Sequence, residues 1–168
     1  VRFNGADFKL VTPSTIPGFP LKSARVLAMT PLGMAVGSNG EGFVLLNGKE
    51  WTAYGSGSGL SNLNVRAFAW DNSTQRLYIG TTGGLFYLEG GTVRPAELEG
   101  RENRGTVESL YADPQGKLWI SFDSAGEIYS LQGTSKGLRF QAPWSAGAVV
   151  RAFCRTGDGS LLMGTRDQ

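Results

Sequence analysis

The chain has 168 residues, of which 40% are hydrophobic and 18% charged, a composition typical of a globular protein and not of a disordered one. The formal net charge is +2 and the Lys and Arg residues form no basic run, which argues against nucleic acid or an anionic membrane surface as a partner. No apolar run approaches the roughly 20 residues that cross a bilayer. There is no histidine, so Ser-His-Asp and Cys-His catalytic systems are excluded within the chain.

The sequence repeats itself four times. A β-rich stretch that opens with valine recurs at Val26, Val65, Val107 and Val150, at spacings of 39, 42 and 43 residues. Each stretch is followed by a turn that carries Gly or Asp, and then by a second strand-like run that ends near Gly or Ser. A period near 42 residues built from short strands predicts the blades of a β-propeller.

In chain order, the predicted strands fall into five groups, and the four strands of one blade are named A to D from the innermost to the outermost. The start of the chain aligns with the C strand and turn of the first whole blade. The predicted fold is an all-β propeller of four blade equivalents, each a four-stranded antiparallel sheet, with one blade split between the two ends of the chain. The predicted bounds are 1–12 for strands C and D of the split blade, 26–54, 65–98 and 107–142 for whole blades, and 149–165 for strands A and B of the split blade.

Several residues have predicted structural roles. Pro95 cannot donate to a ladder, so the fourth strand of its blade is predicted at an outer edge. Asp71, Asp113 and Asp158 follow strand A without the alternating oxygen ligands of a calcium loop, so they are predicted as turn residues. The single cysteine, Cys154, has no partner for an internal disulfide and is predicted as a small buried apolar residue. We expect no metal site and no cofactor.

The second position of strand A carries the strongest candidate site. It is occupied by Leu27, Arg66, Glu108 and Arg151. Innermost strands line the central channel of a propeller, so these charges predict a ring at the channel mouth that binds an anionic ligand. The alternative is a structural set of ion pairs between blades.

Loop residues supply the remaining candidates. The B–C and D–A loops open on the same face of the predicted blades, and loops on a rigid scaffold often carry binding sites. Arg101, Arg104 and Trp144 are the ligand-binding candidates there. Their alternative interpretation is that of ordinary solvated loop residues. No residue is predicted to be catalytic.

The repeat resembles a known family. Residues 107–121 follow the pattern Val-x-x-Leu-x-x-Asp-x-x-Gly-x-Leu-Trp-Ile-Ser, and residues 77–86 read Leu-Tyr-Ile-Gly-Thr-Thr-Gly-Gly-Leu-Phe. Together they resemble the two-component regulator propeller repeat, which forms blades in the periplasmic sensor halves of bacterial hybrid histidine kinases. The resemblance implies a periplasmic or extracellular location and a non-enzymatic sensory module that binds a small ligand or a protein on its loop face.

Two other functions stay open from the sequence. An assembly scaffold would have its split blade completed by a second copy, because an unpaired sheet edge invites association, and two chains would then form a homodimeric ring of eight blades. A propeller lyase or hydrolase is disfavoured by the absence of histidine.

Overall fold

The computed structural model describes residues 2–3, 5–9, 18–48, 50–100, 102–123, 126–134, 137–141 and 144–166. Over these ranges the chain forms strands and turns, which confirms the predicted all-β class; it contains no α-helix and hence no helix that is long and apolar enough to cross a membrane. The strands are β1 (Arg2–Phe3), β2 (Phe8–Lys9), β3 (Val26–Thr30), β4 (Gly33–Gly37), β5 (Phe43–Asn47), β6 (Glu50–Tyr54), β7 (Val65–Asp71), β8 (Arg76–Thr81), β9 (Gly84–Glu89), β10 (Thr92–Pro95), β11 (Leu98–Glu99), β12 (Val107–Ala112), β13 (Leu118–Phe122), β14 (Glu127–Thr134), β15 (Gly137–Phe140), β16 (Trp144–Ser145), β17 (Val150–Arg155) and β18 (Leu161–Thr165).

Each of the larger sheets is built mainly from consecutive antiparallel strands, and the first strands of neighbouring sheets lie against each other. We call the first two strands of each sheet its inner strands, and the first its innermost strand. The first sheet is β3-β4-β5-β6, and the second is β7-β8-β9-β10, with Pro95 on its outer edge as predicted. The third sheet contains β12-β13-β14-β15, and β16 adds to β14. Two hairpins complete the described chain: the N-terminal hairpin, β1–β2, and the C-terminal hairpin, β17–β18. Within the described residues no ladder joins these two hairpins.

One connection departs from the predicted strand bounds. The outer strand of the second sheet was expected to run into Leu98, but it ends at Pro95, and β11 pairs in parallel with β15 of the third sheet. Pro95 supplies no N–H on the open side of β10, and the last bond to the second sheet comes from the amide of Ala96, which donates to the carbonyl of Leu85 at 2.9 Å. The chain crosses to the third sheet, where the amide of Leu138 donates to the carbonyl of Glu97 at 2.8 Å. This crossing ties the outer edges of the second and third sheets together.

The second sheet is buried on both of its faces. One face carries Phe68 and Ile79, which pack with Phe43 of the first sheet. The other carries Ala67 and Tyr78, which pack with the inner strands of the third sheet. Two-sided burial explains why the strands are apolar almost throughout instead of alternating with polar residues. Removing this apolar surface from water is the main favourable term in the stability of the stack.

A valine from the start of one sheet fills a gap beside a glycine of the preceding sheet. A Cβ at Gly37 would lie 2.7 Å from Cγ1 of Val65, and a Cβ at Gly80 would lie 2.5 Å from Cγ1 of Val107. At the equivalent Gly164 of the C-terminal hairpin, the atoms of the described residues within 4 Å of such a Cβ all belong to Ala152, in its own sheet. We call this close approach the valine–glycine contact. The contact joins the first sheet to the second and the second sheet to the third. At Gly164 no valine of the described residues fills the corresponding gap.

The two ends of the stack expose apolar side chains. Leu27 and Met29 on the first sheet are 60% and 78% exposed, and Leu162 on the C-terminal hairpin is 56% exposed. Cys154 lies directly opposite Leu162 on that hairpin and is exposed as well, so the prediction that it is buried was wrong. The reason is its position on the outward face of β17, which no other described element covers.

The valine–glycine contact predicts a position-specific cost of adding a methyl group. Gly80→Ala should lower the free energy of unfolding by about 1–3 kcal/mol, because overpacking forces the inner strands of two sheets apart. Gly164→Ala should be neutral or should stabilise by up to about 1 kcal/mol, because alanine orders a strand better than glycine where space exists. Urea unfolding of both variants measures the difference, and equal losses at the two positions would contradict the contact.

Candidate functional site

The charged residues at the second position of strand A occupy β-bulges. The pairing of β7 with β8, of β12 with β13 and of β17 with β18 shifts register once, so that Arg66, Glu108 and Arg151 are each the extra residue. The β3–β4 ladder is regular, and its equivalent residue is the uncharged Leu27. A bulge redirects the side chain of its extra residue. Three successive inner strands therefore present charged groups at the same level.

The structure brings these three charges into one cluster. Nη1 of Arg151 donates a short hydrogen bond to Oε2 of Glu108, and Nη1 of Arg66 lies 3.8 Å from Oε1 of the same carboxylate. The Glu108 side chain is only 3% exposed, whereas those of Arg66 and Arg151 are 24% and 37% exposed. We call these residues the Arg–Glu–Arg cluster. It joins the innermost strands of the second sheet, the third sheet and the C-terminal hairpin.

The charged groups of the cluster are not equally well paired. A buried carboxylate is costly unless it is paired, and Glu108 is paired on both oxygens. Arg66 is less well placed, because its Nε is buried and has no hydrogen-bond partner among the described residues. Its guanidinium is close enough to Glu108 for electrostatic attraction but too far for a hydrogen bond.

A hydroxyl beside the cluster holds the C-terminal hairpin in place. Oγ of Ser109 donates to the carbonyl of Val150 at 2.9 Å, which links β12 to β17. Ser121 lies directly opposite Ser109 on β13 and is fully buried, but its Oγ has no partner in the described part of the chain. These two serines lie on the same side of the third sheet. Within the described residues, the Ser109 hydroxyl makes a hydrogen bond and the Ser121 hydroxyl does not.

The loop candidates lie apart from the cluster. Arg104 forms an ion pair with Glu102 at 2.9 Å, and both side chains are more than 70% exposed, so the pair contributes little to stability. Trp144 lies on β16 and packs against Trp119, with 5.3 Å between ring centroids. Within the described ranges no hydrogen bond or ion pair links either residue to the cluster. Arg101 lies outside the described residues.

Sequence reasoning missed a cavity between the second and third sheets. Its volume is about 940 Å³, within the size range of ligand pockets. It opens beside the A–B turns, whereas the predicted binding loops connect the other ends of the strands. The guanidinium of Arg76 lies 4.5 Å from the ring centroid of Tyr87 and donates from Nε to Glu89 at 2.8 Å. Polar and aromatic residues line the cavity, including Arg76, Tyr78, Tyr87, Glu97, Lys117 and Gln132. No local motif marks it, because it arises from the spacing of two sheets.

Of the three aspartates predicted as turn residues, Asp113 and Asp158 lie between strands as predicted, whereas Asp71 is the last residue of β7 and pairs with Arg76. Asp71 accepts hydrogen bonds from the amide of Ser73 at 2.8 Å and from Oγ1 of Thr74 at 2.7 Å, and Asp113 accepts from the amides of its own turn. Burial raises the pKa of Asp71, but the hydrogen bonds from Thr74 and Ser73 together outweigh burial and hold the pKa below its usual value. The described residues contain no group of three or more side chains placed to hold a metal ion.

Comparison with known proteins supports the fold. No protein-family model matches the sequence, and no curated protein matches it either. The structure is similar to the extracellular domain of the hybrid two component system BT3049 from B. thetaiotaomicron, with a TM-score of 0.67 and 18% identity over 94% of this chain and 21% of that one. It is also similar to the extracellular domain of the one component system BT4673 from the same organism, with a TM-score of 0.66 and 18% identity over 86% of this chain and 20% of that one. The chain thus spans about a fifth of these structures.

The two serines beside the cluster give a matched pair of variants. Ser109→Ala should lower the free energy of unfolding by about 1–3 kcal/mol, because a buried carbonyl loses its donor. Ser121→Ala should leave stability unchanged or raise it slightly, because it removes a buried hydroxyl that has no partner. Thermal or urea unfolding resolves the two effects. A larger loss for Ser121→Ala than for Ser109→Ala would contradict this account of the junction.

Proposed function

We propose that the chain is a β-propeller segment of four blade equivalents that serves as a non-enzymatic binding module in the extracellular or periplasmic input domain of a sensor. The observation that carries the proposal is the similarity of fold over 94% of the chain to a domain described as the extracellular part of a hybrid two component system. At 18% identity this similarity concerns the fold, so location and sensing are inferred from it by analogy.

The strand order supports the propeller assignment. In each large sheet the first strand lies against the inner strands of the neighbouring sheets, and the sheets stack in chain order. The last strand is at the outer edge in the first and second sheets, and in the third sheet β11 lies outside it. This order is the one expected of propeller blades and supports the proposal. The proposed blades are residues 26–54, 65–98 and 107–142, and the proposed split blade consists of residues 1–12 and 149–165.

The cluster gives the module a means of responding to a ligand. Arg66, Glu108 and Arg151 belong to three successive blade units and share one carboxylate. A ligand that competes for either guanidinium alters the attraction between inner strands of different units. Because packed interfaces adopt discrete arrangements, a small local change of this kind can shift the relative position of linked units. Binding therefore has a route to the rest of a receptor without any chemical step.

A ligand screen tests the binding function. Purified chain mixed with small extracellular metabolites should show saturable thermal stabilisation by at least one of them, about 2.7 kcal/mol at a 100-fold excess over Kd. Mass spectrometry should recover that compound unchanged. A screen without any stabilising compound would contradict the binding module, and recovery of a converted product would contradict its non-enzymatic character.

A second candidate function is an assembly scaffold, favoured by the two hairpins and the exposed end faces. The N-terminal and C-terminal hairpins are each two-stranded, in contrast to the larger sheets between them. Leu27 and Met29 at one end, and Leu162 at the other, are apolar and exposed. In a ring of eight blades made from two copies, these faces would cover each other.

Light scattering separates the scaffold from a monomeric module. One chain has a mass of 17.9 kDa, so the ring predicts about twice that mass in solution. Leu162→Lys should return the ring to monomer, because it places a charge on the covered face. Leu32→Lys is the matched control, since Leu32 is exposed in a turn of the first sheet. A monomer mass for the unaltered chain at high concentration would rule out the ring.

A further inference from the structure

The Arg–Glu–Arg cluster carries more positive charge than its structural role requires. One arginine suffices to neutralise Glu108, and Arg151 already donates to it directly. Arg66 adds a second guanidinium at 3.8 Å, which is too far for a hydrogen bond to the carboxylate, and its Nε is buried without a partner among the described residues. The three side chains together carry a net charge of +1. A purely structural set of ion pairs does not explain this surplus.

The two arginines have more donors than the Glu108 carboxylate can accept from. A guanidinium has five N–H donors in a planar fork, and Nη1 is the atom through which each arginine pairs with Glu108. Nη1 and Nη2 lie on one edge of the guanidinium plane. Such an edge binds carboxylates, sulfates and phosphates through two parallel hydrogen bonds. The cluster thus holds two forks whose remaining donors are available to an acceptor other than Glu108.

The two arginine side chains are more exposed than the glutamate side chain, which favours the approach of an anion from solvent. Glu108 is 3% exposed, whereas Arg66 and Arg151 are 24% and 37% exposed. A solvent-borne anion therefore meets guanidinium groups first and the carboxylate last. Part-buried arginines also interact more strongly with an anion than surface arginines do, because solvent screens them less.

From these observations we infer that Arg66 and Arg151 form a binding site for an oxyanion, with Glu108 as an internal counter-ion that holds the two guanidiniums in place when the site is empty. The ligand class is a group with two or more acceptor oxygens: a carboxylate, a sulfate or a phosphate. This inference rests on the proposed binding function and names the chemistry of its ligand. It also explains the two bulges, since they bring the guanidiniums of Arg66 and Arg151 to the same level.

Isothermal titration at constant ionic strength, set with sodium chloride, tests the site. The probes are sodium sulfate, sodium phosphate and sodium succinate, which distinguish the three oxyanion sources. We expect saturable binding of at least one probe to the unaltered chain. Arg66→Gln and Arg151→Gln should each weaken that binding tenfold or more. Arg139→Gln is the matched control, because Arg139 also pairs with a glutamate, Glu99, but lies on the outer strand β15.

Glu108→Gln separates an oxyanion site from a structural ion-pair set. It removes the internal counter-ion and should strengthen binding of the same probe several-fold. Circular dichroism checks that this variant folds; if it does not, the two arginine variants decide the question. The site is overturned if no probe saturates, or if the arginine variants bind as tightly as Arg139→Gln. A neutral compound found by the ligand screen, with no oxyanion binding, would keep the proposed function and overturn this inference alone.

Discussion

The close approach of consecutive sheets at their inner strands is the constraint on which the rest of this structure depends. A two-stranded hairpin is marginally stable on its own, and a small sheet gains stability when an apolar face packs against a neighbouring layer. Gly37 and Gly80 leave room for Val65 and Val107, so that each sheet seats against the one before it. The apolar runs, the paired aromatic residues and the position of the charged cluster all follow from that spacing.

The repeat allowed much of the fold to be predicted. Its period and turn residues located the strands, and Pro95 marked an outer edge. Two features escaped prediction. The passage of β11 to the third sheet is a tertiary pairing that leaves no local pattern. The exposure of Cys154 depends on whether another layer covers β17, and a strand that is apolar on both faces does not reveal which layers are present.

The candidate site was predictable to a similar degree and for similar reasons. Aligning the repeats placed Arg66, Glu108 and Arg151 at one position, and the structure joins them around one carboxylate. The bulges that aim them were not visible in the sequence, because a bulge is a property of register between two strands. Arg104 and Trp144 share a predicted loop face but lie in separate local contacts. The cavity between the sheets belongs to no single motif, because residues from two sheets line it.

The unlike end faces give the stack a direction. One end shows the side chains of Leu27 and Met29, and the other shows Leu162 together with the unfilled gap at Gly164. Two copies of the same end cannot make the valine–glycine contact with each other, because that contact needs a glycine of one sheet and the first valine of the next. The second sheet carries both halves of the contact, Val65 towards the first sheet and Gly80 towards the third, so that a unit of this kind repeats head to tail.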